Sequence, residues 1–265
     1  MARPLTLIGF GEAGSTFAAR AGWQSPAAAW DLLPARRAAA AAQGLVVPDD
    51  AAEALAAASL VLSLVTADQA LGAAGAYAEQ LAPGAIWCDM NSVAPETKRA
   101  AARAVEAAGG RYVDVAVLAP VDPAGMAVPL LLSGPAAEEA AVRLGAVGFA
   151  NRRAVGAEVG RASAIKMIRS VMVKGIEALT AEMMLGALAA GVADEVLASL
   201  DASEKTMPWA ERAAYNLERM KTHGVRRAAE MEEAARTLDS LGVEPAMTRA
   251  TVCRQREAAG KDFGA

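Results

Sequence analysis

The stretch Leu5-Thr6-Leu7-Ile8-Gly9-Phe10-Gly11-Glu12-Ala13-Gly14 decides the fold. Four strand-forming residues run straight into a GxGxxG turn, and the segment Ala13–Ala21 behind it has helical composition. In such a strand–turn–helix unit the first glycine permits the tight turn and the second lets the backbone approach phosphate oxygens. The third lets helix and strand pack closely. Amides at the helix start and the positive end of its dipole then receive a pyrophosphate. Gly9, Phe10, Gly11, Glu12, Ala13 and Gly14 are therefore read as a dinucleotide cradle, with the Glu12 carboxylate directed away from the phosphates. The alternative is a glycine-rich turn without a ligand.

Asp31 ends the next apolar run, 22 residues beyond Gly9. An acid there accepts both ribose hydroxyls of an adenosine and repels a 2′-phosphate, which leans the reading toward NAD. Arg36 and Arg37 follow closely and offer a clamp for that phosphate, so NADP stays open; alternatively they begin an exposed helix. Val65 and Thr66, after the fourth strand, are placed by the same topology beside the nicotinamide ribose.

Further along, apolar runs alternate with Ala-rich stretches. Strands are expected at Leu5–Ile8, Ala27–Trp30, Leu45–Val47, Leu60–Leu64, Ala85–Asp89, Tyr112–Ala116, Pro129–Leu132 and Arg153–Val155. Helical stretches such as Ala13–Ala21, Asp50–Ala57, Asp68–Leu81 and Pro95–Ala108 lie between them. That alternation predicts a mostly parallel sheet covered by helices. From about Gly160 the β-branched runs stop. One long helix is expected over Arg161–Ala190, then others near Asp194–Leu200, Ser203–Lys221, Val225–Leu241 and Ala246–Ala259, punctuated by Gly191, Pro208, Gly224, Gly242 and Pro245. The expected plan is an α/β Rossmann domain over residues 1–157 and an all-α domain over 158–265.

Composition narrows the function. The 265 residues are 54% hydrophobic but only 4% aromatic, so alanine supplies much of the apolar count and a helix-rich chain is expected. No run approaches the roughly 18 strongly apolar residues of a membrane span. The opening Met1-Ala2-Arg3-Pro4-Leu5 leaves no room for a secretory signal, and a cytoplasmic protein is expected. Net charge is −4. The densest basic cluster, Arg219 to Arg227, is followed at once by Glu230, Glu232 and Glu233, a solvated helix face and not a nucleic-acid stripe. Cys88 and Cys253 form neither a metal pattern nor a disulfide framework. No metal site is expected.

Three further segments carry chemistry. They are Asp89-Met90-Asn91-Ser92-Val93-Ala94-Pro95, Gly110-Arg111-Tyr112-Val113-Asp114-Val115-Ala116-Val117, and Gly156-Ala157-Glu158-Val159-Gly160-Arg161-Ala162-Ser163-Ala164-Ile165-Lys166. In the last, Ser163, Lys166, Ser170, Lys174 and Glu177 recur at spacings of three or four, a polar lane on a largely apolar helix. A lysine on such a face is costly to bury unless it is paired or working; the alternative is a snorkelling surface lysine.

With the glycine turn, these segments fall in the order and spacing of the β-hydroxyacid dehydrogenases, which include the 3-hydroxyisobutyrate and 6-phosphogluconate dehydrogenases. The chain resembles that family over nearly its whole length, and most resembles the branch with its own helical C-terminal domain. The resemblance implies an NAD(P)-dependent oxidoreductase interconverting an alcohol and a carbonyl, with Lys166 as general acid/base. A lysine pKa lowered by burial or by cations such as Arg169 and Lys174 suits that role. It also implies that Asn91 and Ser92 lie near substrate and nicotinamide; alternatively they cap the helix starting near Pro95. Ser170 stands where the family usually has a substrate-holding asparagine. The single histidine, His223, falls near the family's second-domain lysine; read locally, it is a helix C-terminal histidine before Gly224. One departure stands out. Where the family cradles a carboxylate with a serine and two glycines, this chain has Leu118-Ala119-Pro120, which offers neither a hydroxyl nor a proline amide.

The reading is a dehydrogenase with its cleft between the two domains, a small-molecule substrate, and a homodimer suggested by the long helix and Met183-Met184-Leu185. An imine reductase-like enzyme is the first alternative, with Lys166 counting against it. A non-catalytic NAD(P)H-binding regulator is the second.

Overall fold

The apolar run that opens the chain forms β1 (Thr6–Ile8), buried at every residue. It belongs to a seven-stranded sheet in a computed structural model that describes residues 5–203 and 206–262. β2 (Ala28–Trp30), β3 (Leu60–Ser63), β4 (Ile86–Asp89), β5 (Arg111–Val117), β6 (Leu130–Ser133) and β7 (Arg152–Ala154) complete it in the order 2-1-3-4-5-6-7. Neighbours are parallel except β5 and β6. The connecting helices are α1 (Glu12–Ala21), α2 (Pro34–Ala42), α3 (Ala51–Leu55), α4 (Ala70–Tyr77), α5 (Pro95–Ala107), α6 (Val121–Ala124) and α7 (Ala137–Ala146).

Strands β1, β3 and β4 are buried along their whole length, which is why they read as unbroken apolar runs. Successive side chains feed opposite faces. Leu7, Leu62 and Val113 join Phe17 in one core layer, while Ile8, Val61, Trp87 and Tyr112 build the other. The chain reverses its direction of winding between β1 and β3, and the carboxyl ends of the strands at that point form the crevice where open α/β sheets bind ligands.

Two of the elements expected in this part of the chain need correction. Leu45–Val47 is not a strand but a single bridge, in which the Val46 amide donates to Ala27 O and the Ala29 amide donates to Val46 O. Pro48 stops the ladder there, since it has no amide to donate. The expected Asp68–Leu81 helix is a shorter α4, flanked by 3₁₀ turns at Ala67–Gln69 and Ala78–Gln80.

The chain falls into two compact units, Met1–Arg169 and Ser170–Ala265. α8 (Arg161–Ala190) supplies the last residues of the first and the first residues of the second. α9 (Ala193–Ser203), α10 (Trp209–Ser240) and α11 (Ala246–Ala258) follow. The expected break at Gly224 is absent: α10 runs through it for 32 residues. A Cβ at Gly224 would lie 2.2 Å from Gln255 O, so this glycine serves close helix packing and not termination. His223 is consequently an exposed mid-helix residue, not a helix C-terminal one. Among the described residues no helix is long and apolar enough to cross a membrane, and no group of His, Cys, Asp or Glu is placed to hold a metal.

Within the second unit Glu182 of α8 caps α11. Its carboxylate accepts from the amides of Met247 and Thr248, at 2.7 and 2.8 Å, and from the Thr248 hydroxyl at 2.6 Å. Burial alone would push its pKa up. The Thr248 hydroxyl, the two amides and nearby Arg249 outweigh that and hold the carboxyl below its usual value. A depressed folded pKa gives stability that is full above the unfolded value, about 4.3, and is lost as pH falls through the folded one. Glu182→Gln is therefore expected to cost about 1 kcal/mol at neutral pH and to flatten the loss of stability below pH ~4. Urea melts across the acid range measure both; an unchanged acid slope would contradict this account.

Candidate active site

The glycine turn closes the β1–α1 junction under two tight contacts. Gly9 has φ +95°, and a Cβ there would lie 2.5 Å from Leu64 O; one at Gly14 would lie 2.6 Å from Gly9 O. The fold itself demands both glycines. Gly11 is different: its φ of −75° suits any residue, and beyond its own chain neighbours no protein atom lies within 4 Å of where its Cβ would be. That space opens into a cavity of about 870 Å³ lined by Gly9, Gly11, Glu12 and Ala13. The first helical bond of α1 runs from Ser15 N to Gly11 O, so the amides of Glu12, Ala13 and Gly14 precede it. No side chain caps this helix start. A glycine unneeded by the protein, beside uncapped helix-start amides, fits a dinucleotide pyrophosphate. Gly11→Ala is expected to leave the free protein as stable or slightly more so. It should weaken NADH or NADPH binding by about 1–3 kcal/mol through overpacking, tenfold or more at the middle of that range. Calorimetric titration beside a thermal melt measures both; unchanged affinity would remove Gly11 from the site.

Phe10 contributes its backbone and not its ring. The side chain is buried in the core, while its amide donates to Asp31 Oδ2 at 2.8 Å. Asp31 Oδ1 accepts from the Leu33 amide at 2.9 Å, so the carboxylate is fixed at the carboxyl end of β2 and lines the cavity. Arg37 is committed elsewhere: it donates to Asp31 O and Leu32 O, and its guanidinium lies 4.7 Å from the centre of the Trp30 ring. Arg36 is exposed and lines the cavity. Val65 and Thr66 line it after β3. The Thr66 hydroxyl, with Gln69, holds the exposed Asp68 carboxyl below its usual value.

Ser92 and Lys166 also line the cavity. The Lys166 ammonium donates to Ser92 Oγ, so two residues 74 apart in sequence meet as a pair. The lining residues drawn from the same β4 turn and from the end of β5 onward are apolar: Met90, Val117, Ala119, Pro120 and Val121. Leu118 turns away to pack with Ala116, Leu131 and Ala162, and its amide already donates to Pro129 O. Neither Asn91 nor Ser92 caps α5, whose cap residue is Ala94. Asn91 is buried and does not line the cavity; its side-chain amide donates to Ser63 Oγ and Asp89 Oδ1. Ser170 in α8 and His223 in α10 belong to the second unit.

Behind Ser92 and Lys166 lies a buried ionic cluster. Asp89 and Asp114 are register partners on β4 and β5. Lys98 of α5, with no exposed surface, donates to Asp89 O at 2.7 Å and Asp89 Oδ1 at 2.9 Å, and lies 3.4 Å from Asp114 Oδ1. Tyr112 donates to Asp89 Oδ2 at 2.6 Å; burial and the neighbouring Asp89 push its pKa far up, so it stays a neutral donor. Asp114 accepts from the amide and hydroxyl of Ser163, at 2.9 and 2.6 Å, and from Ser133, whose oxygen accepts the Ala162 amide. The first turn of α8 is thus capped from the sheet. This cluster lies outside the motifs named from the sequence, although a signal for it is present there. Lys98, Ala101, Ala102 and Val105 make the buried stripe of α5, and a lysine in such a stripe must find partners.

Comparison with known proteins agrees with this geometry. Residues 4–144 match the model of the NAD binding domain of 6-phosphogluconate dehydrogenase, and residues 187–258 match a domain of unknown function, DUF1932. A conserved hypothetical protein from Sinorhizobium meliloti is 41% identical, with 100% of this chain and 92% of that one covered, at a TM-score of 0.65. A conserved protein described as structurally similar to 3-hydroxyacid dehydrogenases is 30% identical over 96% of each chain, at a TM-score of 0.63. A Streptomyces aurantiacus imine reductase shares the fold, with 23% identity, 98% of this chain and 97% of that one covered, and a TM-score of 0.80. Among proteins with curated functions none matches. A glycine cradle at the switch point of a Rossmann sheet, followed by a helical region, thus places this chain in the 6-phosphogluconate dehydrogenase-like family of NAD(P)-binding oxidoreductases.

Proposed function

We propose that this protein is an NAD(P)-dependent reductase or dehydrogenase that interconverts a carbonyl and an alcohol, with Lys166 as general acid/base. The observation that carries the proposal is the Ser92–Lys166 pair, which lines the same cavity as the glycine turn. A bound nicotinamide supplies or accepts the hydride. Lys166 supplies the proton to the carbonyl oxygen in reduction and takes it back in oxidation. Ser92 holds the ammonium in place by accepting one of its three protons.

The lining supports a substrate without a carboxylate beside the reacting carbon. Met90, Val117, Ala119, Pro120 and Val121 line the same cavity as the pair, and the cations in that lining are Lys166 and Arg36. An anion there would exchange its water for a largely apolar wall, with Arg169 already engaged by Leu118 O. Neutral ketones and aldehydes fit better than hydroxyacids. For the cofactor, Asp31 is held with both oxygens at the end of β2 and Arg37 is occupied, which leaves Arg36 alone for a 2′-phosphate. That arrangement favours NAD.

The test is a panel of ketones, aldehydes, hydroxyacids and cyclic imines, followed at the nicotinamide absorbance with NADH and with NADPH. Turnover of neutral carbonyls, faster with NADH, is expected. Turnover confined to imines would replace this reading with an imine reductase, and silence despite tight NADH binding would favour a regulator.

The protein is further proposed to work as a homodimer. Val171, Leu185 and Leu188 of α8, all in the second unit, are each more than half exposed in the single chain, an apolar surface that a second copy would cover. Light scattering at micromolar concentration showing a monomer would remove this part.

A further inference from the structure

We propose that Lys98, with Asp89 and Asp114, is a positioning unit that holds the Ser92–Lys166 pair in register. The inference rests on the reading of Lys166 given above. It follows from a closed circuit of contacts. On one side, the Asn91 amide donates to Asp89 Oδ1 at 2.9 Å, and its side chain donates to the same oxygen at 2.8 Å. The turn that carries Ser92 is thereby tied to the end of β4. On the other, Asp114 takes both donors of Ser163, one helical turn before Lys166. Lys98 spans the two carboxylates and also binds the Asp89 carbonyl, so its three protons face three acceptors. The circuit closes where Lys166 meets Ser92.

The chemistry explains why a buried ion cluster sits here and not elsewhere in the sheet. Proton transfer needs a lysine held within hydrogen-bond reach of its target, and a small misplacement costs rate steeply. A loop and a helix start drawn from distant parts of the chain have no shared backbone ladder to fix them. Charge-assisted bonds in a dry interior are directional and strong. They fix both segments to one ammonium. Lys98 touches neither the cavity nor the reacting atoms, and so acts only through Ser92 and Lys166.

The test reads Lys166 itself, without turnover. Trace acetylation by acetic anhydride, followed by peptide mass spectrometry, gives the rate at Lys166 relative to exposed Lys174. In Lys98→Met, Lys166 loses its hold on Ser92 and should acetylate about fivefold faster, the size of one lost hydrogen bond. Ser163→Ala removes a single contact in the circuit and should raise the rate about twofold. Two controls separate local release from general loosening. Cys88 is buried beside Asp89 with its pKa pushed up to about 12 by burial and that neighbouring charge, and should stay unreactive to a thiol reagent while exposed Cys253 reacts. The Kd for NADH should also stay unchanged. Faster acetylation of Lys166 with Cys88 still protected supports the proposal. An unchanged Lys166 rate in either folded variant overturns it. If Lys98→Met fails to fold, Ser163→Ala decides alone, and a rise that comes only with exposure of Cys88 also overturns it. The acid/base role of Lys166 fails separately, if Lys166→Ala keeps turnover.

Discussion

Lys166→Ala is expected to lower turnover by about 10²–10⁴-fold, the usual worth of a positioned general acid or base, while leaving the Kd for NADH unchanged. The two effects separate because the groups differ. The dinucleotide is proposed to lie against Gly9, Gly11, Ala13 and the end of β2, whereas Lys166 is paired with Ser92, which is no part of that glycine turn. Removing the lysine leaves the cradle intact but leaves the substrate oxygen without a proton source. Lys166→Arg discriminates between two roles. A fixed cation that only polarises a carbonyl would be partly restored by arginine. A group that must give and regain a proton would not, because the guanidinium does not titrate in this range. Turnover in Lys166→Arg should therefore stay near that of Lys166→Ala. Substantial recovery would mean that the lysine works through its charge alone.

Lys98→Met is expected to lower the folding free energy by about 3–5 kcal/mol, as breaking a buried ion pair from one side does. Met fills the volume, so the loss is electrostatic and not a cavity. Asp89 would keep the Tyr112 hydroxyl and both Asn91 donors, and Asp114 would keep Ser163 and Ser133. What disappears is the one ammonium between two carboxylates with almost no exposed surface. Against a typical total of about 5–15 kcal/mol, that loss is a large fraction. Tyr112→Phe removes one hydrogen bond to a carboxylate and should cost less, about 1.5–3 kcal/mol. Urea unfolding ranks the two. A cost below 1 kcal/mol for Lys98→Met would mean that the cluster carries little of the structure.

The sheet was legible because its central strands are buried on both faces and so appear as short apolar runs closed by turns. Leu5–Ile8, Leu60–Leu64 and Ala85–Asp89 all lie at strands. Leu45–Val47 has the same composition but pairs through Val46 alone, and composition carries no record of what a strand pairs with. Gly224 misled for a related reason. Glycine before a basic run reads as a helix end, yet here it lets α11 approach α10, a long-range fact.

At the site, the glycine turn could be read because its geometry is local. The Ser92–Lys166 pair could be placed only through resemblance, since 74 residues separate its members. Asn91 was grouped with Ser92 as a substrate neighbour, but alternation of direction turns it inward onto Asp89 while Ser92 faces the cavity. The Lys98 cluster went unread because a charge after Pro95 looks like a solvated helix start. Only the stripe formed with Ala101, Ala102 and Val105 marks it as buried.

The most direct measurement is a crystal structure with NADH or NADPH bound. The account predicts the pyrophosphate against Gly11 and the amides that open α1, with the nicotinamide ring reaching toward Ser92 and Lys166. A dinucleotide bound with its nicotinamide turned away from that pair, or a pyrophosphate lying elsewhere, would contradict it.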